Sequence, residues 1–214
     1  MSQLNNTRRS YDAVAEKYAA EIADELIGKP LDRALLDAFA EMIPNGPVAD
    51  VGCGPGQIGR YLAGREATVV GTDLSPAMCR AASIPACASD MTALPFRTAS
   101  LAGLVCFYAV IHLDHAQRAT AYREFARVLS AGGSALITFH TSDAETSTGD
   151  HRELHDWWGN PVDLTFRFLN PDDEVATLTS SGFELTARLD RAPHPGVEHA
   201  SFRTYLLLRR VDPA

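Results

Sequence analysis

No uninterrupted apolar run in this 214-residue sequence reaches the roughly 20 residues a bilayer-crossing helix requires. The first residues also lack the apolar core of a secretory leader, because Arg8, Arg9, Asp12, Glu16 and Lys17 interrupt it. Cysteine is scarce: Cys53, Cys79, Cys87 and Cys106 never form a C-x-x-C pair and stand among small or apolar neighbours. That argues against a disulfide framework or a zinc site and for reduced thiols in a cytoplasmic protein. Positive charge is also short, with 19 Lys and Arg against 27 Asp and Glu, a net −8. With no local basic cluster, such a surface repels phosphate backbones and anionic bilayers, so neither nucleic acid nor a membrane is expected as a partner. Internal repeats and low-complexity tracts are missing too. What remains, 46% hydrophobic and 21% charged residues, is the composition of a globular chain large enough for one well-buried domain.

Along the chain, Tyr11, Val14, Ala15, Tyr18, Ile22 and Leu26 share one face, which predicts a helix from Ser10 to Ile27. Gly28-Lys29-Pro30 breaks it, and Leu31, Leu35, Phe39 and Met42 begin a second. After the turn residues 44–47, short apolar segments alternate with helical ones. Strands are predicted at Val48–Val51, Thr68–Gly71, Pro85–Ala88, Leu104–Phe107 and Ala135–Phe139. Ser75 and Pro76 suit a helix start, and Gly132-Gly133 a helix end. This alternation predicts an α/β domain with a parallel sheet. Thr141 to Asp150 reads as a loop, followed by a helix opening at Asn170-Pro171. Phe183–Leu189 and Phe202–Val211 read as two directly joined, hence antiparallel, strands.

The turn after the first strand, Gly52-Cys53-Gly54-Pro55-Gly56, carries the chemistry. Its continuation, Gly54 to Gly59, formally matches the G-x-G-x-x-G dinucleotide fingerprint. However, Asp50 stands just before the glycines, where an acid would repel a pyrophosphate. It suits a ligand with positive charge, such as the ammonium and sulfonium of S-adenosylmethionine. A purely structural alternative is that Asp50 caps the following turn. Glycines at 52, 54 and 56 allow positive φ and close backbone approach. Asp73 follows Asp50 by 23 residues and Asp90 follows Asp73 by 17, each at a strand's carboxyl end. A carboxylate at 73 can accept from both ribose hydroxyls. Asp90 can accept from an adenine amine, with the Met91 amide donating to the ring.

Val48 to Gly56 (D-x-G-x-G-x-G), Thr72-Asp73-Leu74-Ser75, Ala88-Ser89-Asp90-Met91, Leu94-Pro95-Phe96 and Arg127 to Gly133 together cover about half the chain. In order and spacing they resemble the class I S-adenosylmethionine-dependent methyltransferases, small-molecule group, similar to the ubiquinone/menaquinone-type enzymes. The resemblance implies a Rossmann-like, seven-stranded, mostly parallel sheet with one antiparallel strand, helices on both faces and an N-terminal helical cap. It implies one domain: cap 1–43, cofactor-binding core 44–141, loop and candidate substrate lid 142–169, and C-terminal helix with antiparallel strand pair 170–214. It assigns the methionine moiety to Asp50 and Gly52, Gly54 and Gly56, the ribose to Asp73 beside Leu74, and the adenine to Asp90 and Met91. Phe107 and Tyr108 would line the sulfonium side, and Tyr11, with Tyr18, would close over the carboxylate. Pro55, Gly103 and Ser130-Ala131 depart from the family's usual threonine, aspartate and Lys-Pro, but none replaces a cofactor acid.

The implied reaction is in-line displacement of the activated methyl by a small-molecule acceptor, releasing S-adenosylhomocysteine. His112, after the fourth strand, and His140, at the end of the fifth, are the candidate bases. His151 and His155 flank Glu153 without an evident third metal ligand, so no metal is expected. Trp157-Trp158 belong to a lid or anchor a helix to the sheet, and Glu198 with Arg203 reads as a surface ion pair. A monomer or homodimer is expected. The alternatives are an NAD(P)-dependent oxidoreductase and a non-catalytic module that binds the cofactor.

Overall fold

Val48, Ala49, Asp50 and Val51 are all buried, because the strand they form, β1 (Val48–Val51), lies in the middle of the sheet between two parallel neighbours. The computed structural model describes residues 3–211. Helix α1 (Gln3–Ile22), a 3-10 turn (Glu25–Gly28) and α2 (Pro30–Met42) precede β1. There follow α3 (Gln57–Ala63), β2 (Val69–Asp73), α4 (Pro76–Ala81), β3 (Ala86–Ala88) and β4 (Leu101–Phe107). A second 3-10 turn (Val110–His112) leads into α5 (His115–Val128) and β5 (Leu129–Asp143). The chain finishes with β6 (His151–Trp157), β7 (Asn160–Arg167), α6 (Pro171–Ser180), β8 (Phe183–Arg191) and β9 (Ser201–Arg210).

Seven strands form one sheet in the order β3-β2-β1-β4-β5-β9-β8, with β9 antiparallel to both of its neighbours and the remaining pairs parallel. Alternate residues of β4 and β5 feed two different cores. Leu104, Cys106, Ile137 and Phe139 meet Tyr122 and Phe125 of α5 on one face. Val105 and Leu136 meet Leu36 and Phe39 of α2 and Leu62 of α3 on the other. Covering both faces is what a continuously apolar strand demands. Ser75 caps α4 by accepting the Met78 amide at 3.1 Å, with Pro76 in the first turn as expected.

Several expectations need correction. Helix α1 starts at Gln3 rather than Ser10 and ends at Ile22, the rest of its predicted length being the 3-10 turn. Helix α5 stops at Val128, well before Gly132-Gly133. The apolar Leu129 is fully buried and pairs with Leu101, so the chain is already extended there. Strand β5 runs on to Asp143, which shortens the loop expected from Thr141, and within the segment 142–169 expected as loop and candidate lid, His151–Trp157 and Asn160–Arg167 are strands. Strands β6 and β7 make a hairpin whose two-residue turn, Trp158-Gly159, has φ of 55° and 79°. Two positive φ values at the tip define a type I′ hairpin turn. Its exposed side alternates His151, Glu153 and His155, polarity that concealed the strand.

Candidate active site

The sheet reverses its winding direction at β1 and β4, and the carboxyl ends of these strands open a cleft with about 950 Å³ of empty space, the mouth included. Ligands of doubly wound sheets bind at this switch point. Gly52 turns the chain sharply at φ +70°, and a Cβ there would lie 2.2 Å from that of Ala109, so no side chain fits. The Gly52 and Cys53 amides donate to the Thr72 carbonyl (2.7 and 3.0 Å), binding the turn to β2. Helix α1 covers the opening, presenting Leu4, Thr7, Tyr11, Tyr18 and Ile22 to the cleft from one face. It is held from two sides. Asp12 accepts from the Ser75 hydroxyl (2.6 Å) and the Ala77 amide (3.1 Å), while the Ser10 hydroxyl accepts from the Asp163 amide of β7 (2.8 Å).

Of the residues singled out in the sequence, Tyr11, Gly52, Gly54, Asp73, Leu74, Asp90, Met91, Phe107 and His112 line this cleft, as do Tyr18 and Tyr108. Asp73 accepts from the amides of Gly54 (2.9 Å, Oδ2) and Ser75 (2.8 Å, Oδ1). Burial nonetheless raises its carboxyl above the ordinary carboxylate range. Asp90 accepts the Thr92 amide at 2.8 Å, which fixes its turn. Asp50 and Gly56 lie behind the lining rather than in it. The Asp50 Oδ2 accepts the Gly59 amide (2.9 Å) and so braces the first turn of α3. Burial pushes the Asp50 carboxyl up to about 7, and nearby Asp73 adds to the shift.

The two histidines part company. Nδ1 of His112 lies 3.0 Å from the Thr165 carbonyl, which only accepts, so Nδ1 carries the proton. Nε2 is then the acceptor for the Tyr11 hydroxyl at 2.7 Å. Burial lowers the His112 pKa to about 4 and raises that of Tyr11, so both are neutral at physiological pH. His140 lies outside the cleft lining. It stacks on Tyr108 (4.7 Å between centroids, 19° between planes), and its Nδ1 is 2.7 Å from the Ser201 hydroxyl. Burial, together with Arg203, lowers its pKa to about 3.

Tyr108 itself is held at φ 55°, an unusual conformation for a non-glycine residue. Its hydroxyl meets that of Tyr205 (2.9 Å), which donates to Asp32 (2.8 Å). Arg191 bridges Asp32 (2.8 Å) and Glu198 (2.5 Å) in the same buried network. Glu198 and Arg203, expected on the surface, are therefore interior, with side chains 3% and 2% exposed and 3.1 Å apart. Arg191, Lys29 and Asp32, remote in sequence, complete the charge balance that permits this burial.

Among the cleft residues to which sequence reasoning gave no role are the polar Glu25, Gln57 and Ser89. Gln57 occupies a variable position inside the glycine fingerprint and Ser89 adjoins Asp90, so adjacency could have flagged both. Nothing in the sequence connects Glu25 to them. The Ser89 hydroxyl and Gln57 Oε1 are buried without a protein partner. Such atoms call for a polar ligand. The lining holds three carboxylates, Glu25, Asp73 and Asp90, but no lysine or arginine among the described residues. That acceptor-rich lining fits S-adenosylmethionine, which brings hydroxyls, amines and two positive centres, and disfavours a diphosphate.

Residues 48–133 match the family model described as a methyltransferase domain. The chain is 31% identical over 182 residues to a malonyl-[acyl-carrier protein] O-methyltransferase of Herminiimonas arsenicoxydans, covering 78% of this chain. It spans 64% of that relative's length. Among solved structures it is similar to 1,6-didemethyltoxoflavin-N1-methyltransferase of Burkholderia thailandensis, solved with 1,6-didemethyltoxoflavin and S-adenosylhomocysteine. That likeness has a TM-score of 0.72 at 18% identity, over 97% of this chain and 88% of the other. A SAM-dependent methyltransferase of Methanosarcina mazei gives a TM-score of 0.72 at 14% identity, over 82% of this chain and 98% of the other. Identities this low in the solved structures speak for the fold, and the match in sequence speaks for descent. Motifs, sheet order and cleft chemistry agree with this likeness: residues 48–133 match a methyltransferase domain, and the chain is similar in fold and motifs to the class I S-adenosylmethionine-dependent methyltransferases.

Proposed function

We propose that this chain moves a methyl group from S-adenosylmethionine to a small-molecule acceptor in the cleft, releasing S-adenosylhomocysteine. The observation that carries this reading is a cleft with three carboxylates and no basic side chain, built on a glycine turn. In this reading Asp73 accepts from the ribose hydroxyls, and Asp90 with the Met91 amide takes the adenine. Phe107 and Tyr108 wall the reacting centre. Asp50 acts indirectly, by holding α3 and the glycine turn in place. When bound, the cofactor supplies a methyl group already activated by its sulfonium.

The protein's contribution is orientation and exclusion of water, worth roughly 7–11 kcal/mol in favourable cases. His112 serves as base through Nε2, once the Tyr11 hydroxyl gives way to the acceptor. With a pKa of about 4 it does not strip the acceptor's proton in advance. It takes the proton as the methylated oxygen or nitrogen becomes acidic, and Thr165 keeps the ring in the required tautomer. His140 supports Tyr108 from behind. The four cysteines are all free, which fits a cytoplasmic setting. Among the described residues, no helix is long and apolar enough to cross a membrane.

The test is a product screen. The protein is incubated with methyl-labelled S-adenosylmethionine and a metabolite extract, and S-adenosylhomocysteine and labelled products are detected. His112→Ala should lower turnover with little change in cofactor affinity. Micromolar NAD(P) binding without affinity for S-adenosylmethionine would overturn the proposal.

A further inference from the structure

Gln57 opens α3 and lines the cleft, and its Nε2 donates to Glu25 Oε1 at 2.9 Å. A carboxylate has no proton to offer, so this contact fixes which end of the amide is which. Gln57 Oε1 is buried, it accepts hydrogen bonds only, and no protein donor reaches it. The other oxygen of Glu25 is held by Lys29 Nζ at 2.5 Å, and Lys29 is itself shared with Glu198 at 3.4 Å. Lys29 does not line the cleft. Its charge holds Glu25 from behind and leaves the cleft face of the pair rich in acceptors.

The position of this pair matters as much as its chemistry. Ser89, Asp90 and Met91 occupy one end of the cleft, after β3, and Asp73 stands at the end of β2, bonded to Gly54. Glu25 and Gln57 lie beyond the glycine turn, where Tyr18 approaches Gly54. A ligand with its base at Asp90 and its ribose at Asp73 therefore extends its remaining, amino-acid arm toward them. The group that satisfies two adjacent acceptors, one of them anionic, is a cationic donor.

We propose that Glu25 and Gln57, oriented by Lys29, recognise the α-ammonium of the cofactor's methionine moiety. The inference rests on the reading of the cleft as an S-adenosylmethionine site and adds the residues that distinguish its amino-acid arm. Calorimetry with three ligands tests it: S-adenosylhomocysteine, its des-amino analogue, and 5′-methylthioadenosine, which lacks the whole amino-acid arm. Gln57→Leu should weaken S-adenosylhomocysteine about tenfold, the scale of one hydrogen bond to a charged group. It should leave the des-amino analogue and 5′-methylthioadenosine within about twofold of the parent protein, since neither carries the ammonium. Glu25→Gln, which keeps an acceptor for Gln57 but removes the charge, should show the same selectivity and guards against misfolding of the first variant. Equal binding of S-adenosylhomocysteine by parent and both variants, or parallel losses for all three ligands, would overturn the inference while leaving the cofactor site intact. Failure of the parent to bind any of the three would bring down the cofactor reading and this inference together.

Discussion

Asp73 shows how much one side chain can be asked to do. Each oxygen already accepts a backbone amide, yet each retains a second lone pair, so the residue can both shape the glycine turn and receive a ribose hydroxyl. Asp73→Ala should therefore weaken S-adenosylmethionine binding by about 1–3 kcal/mol in calorimetry, the scale of hydrogen bonds lost in a buried site. An unchanged affinity would remove Asp73 from the ribose. Asp50 is likewise engaged by the fold, its Oδ2 accepting the Gly59 amide. At this scale the candidate site was largely legible, because Asp73, Asp90 and the glycines sit at strand ends that local pattern reveals. Glu25 was not, since its importance comes from Gln57, which lies 32 positions away in sequence.

At the scale of elements, α1 roofs the cleft and the β6–β7 hairpin packs against α1 from behind. Val14 and Ala15 of α1 share a small core with Val162 and Leu164 of β7 and Met78 of α4. Trp157 stands between Tyr11, Tyr18 and Phe166, with ring centroids 6.0, 5.4 and 6.0 Å away. Aromatic contacts of this kind add about 0.5–1.5 kcal/mol each beyond the area they bury. Trp157→Ala should loosen the roof without melting the sheet. Amide exchange should quicken in α1 and β7, with β1, β4 and β5 unchanged, and cofactor release should accelerate. Uniform acceleration across the sheet would show that the roof is no separate unit. The hairpin escaped sequence reading because its strands are largely solvated and its turn is led by a tryptophan rather than the customary Asn or Asp. The parallel strands were plain for the opposite reason, being apolar on both faces.

Across the whole molecule, charges buried between α2, β8 and β9 tie the C-terminal strands to the wall that holds Tyr108. Removing one partner leaves the others uncompensated in the interior. Arg191→Met, which strands Asp32 and Glu198, should cost about 3–5 kcal/mol in urea denaturation. A loss below about 1 kcal/mol would mean that Lys29 and Arg203 suffice. Acid stability follows from the buried rings. His112 and His140 have folded pKa values of about 4 and about 3, below the ordinary 6.5, so the unfolded chain takes up protons first as the pH falls. Their contribution is complete above about pH 6.5 and is lost as the pH drops toward their folded values. Asp50, raised to about 7, acts oppositely and costs stability as the pH rises from about 4 to 7. His140→Gln should flatten the acid limb of a stability–pH curve, and an unaltered slope would contradict the assignment.

The alternation of strands and helices from β1 to β5, the glycine turn and the acids at strand ends were determined by the sequence alone. Each depends on neighbours within a few residues: hydrophobic period, cap and turn chemistry. Only the tertiary structure decided that Asp50 faces a helix, that His112 rather than His140 reaches the cleft, and that Glu198 and Arg203 are interior. Those outcomes turn on burial and on partners such as Thr165, Tyr205 and Arg191, which long-range packing alone brings within a hydrogen bond's reach.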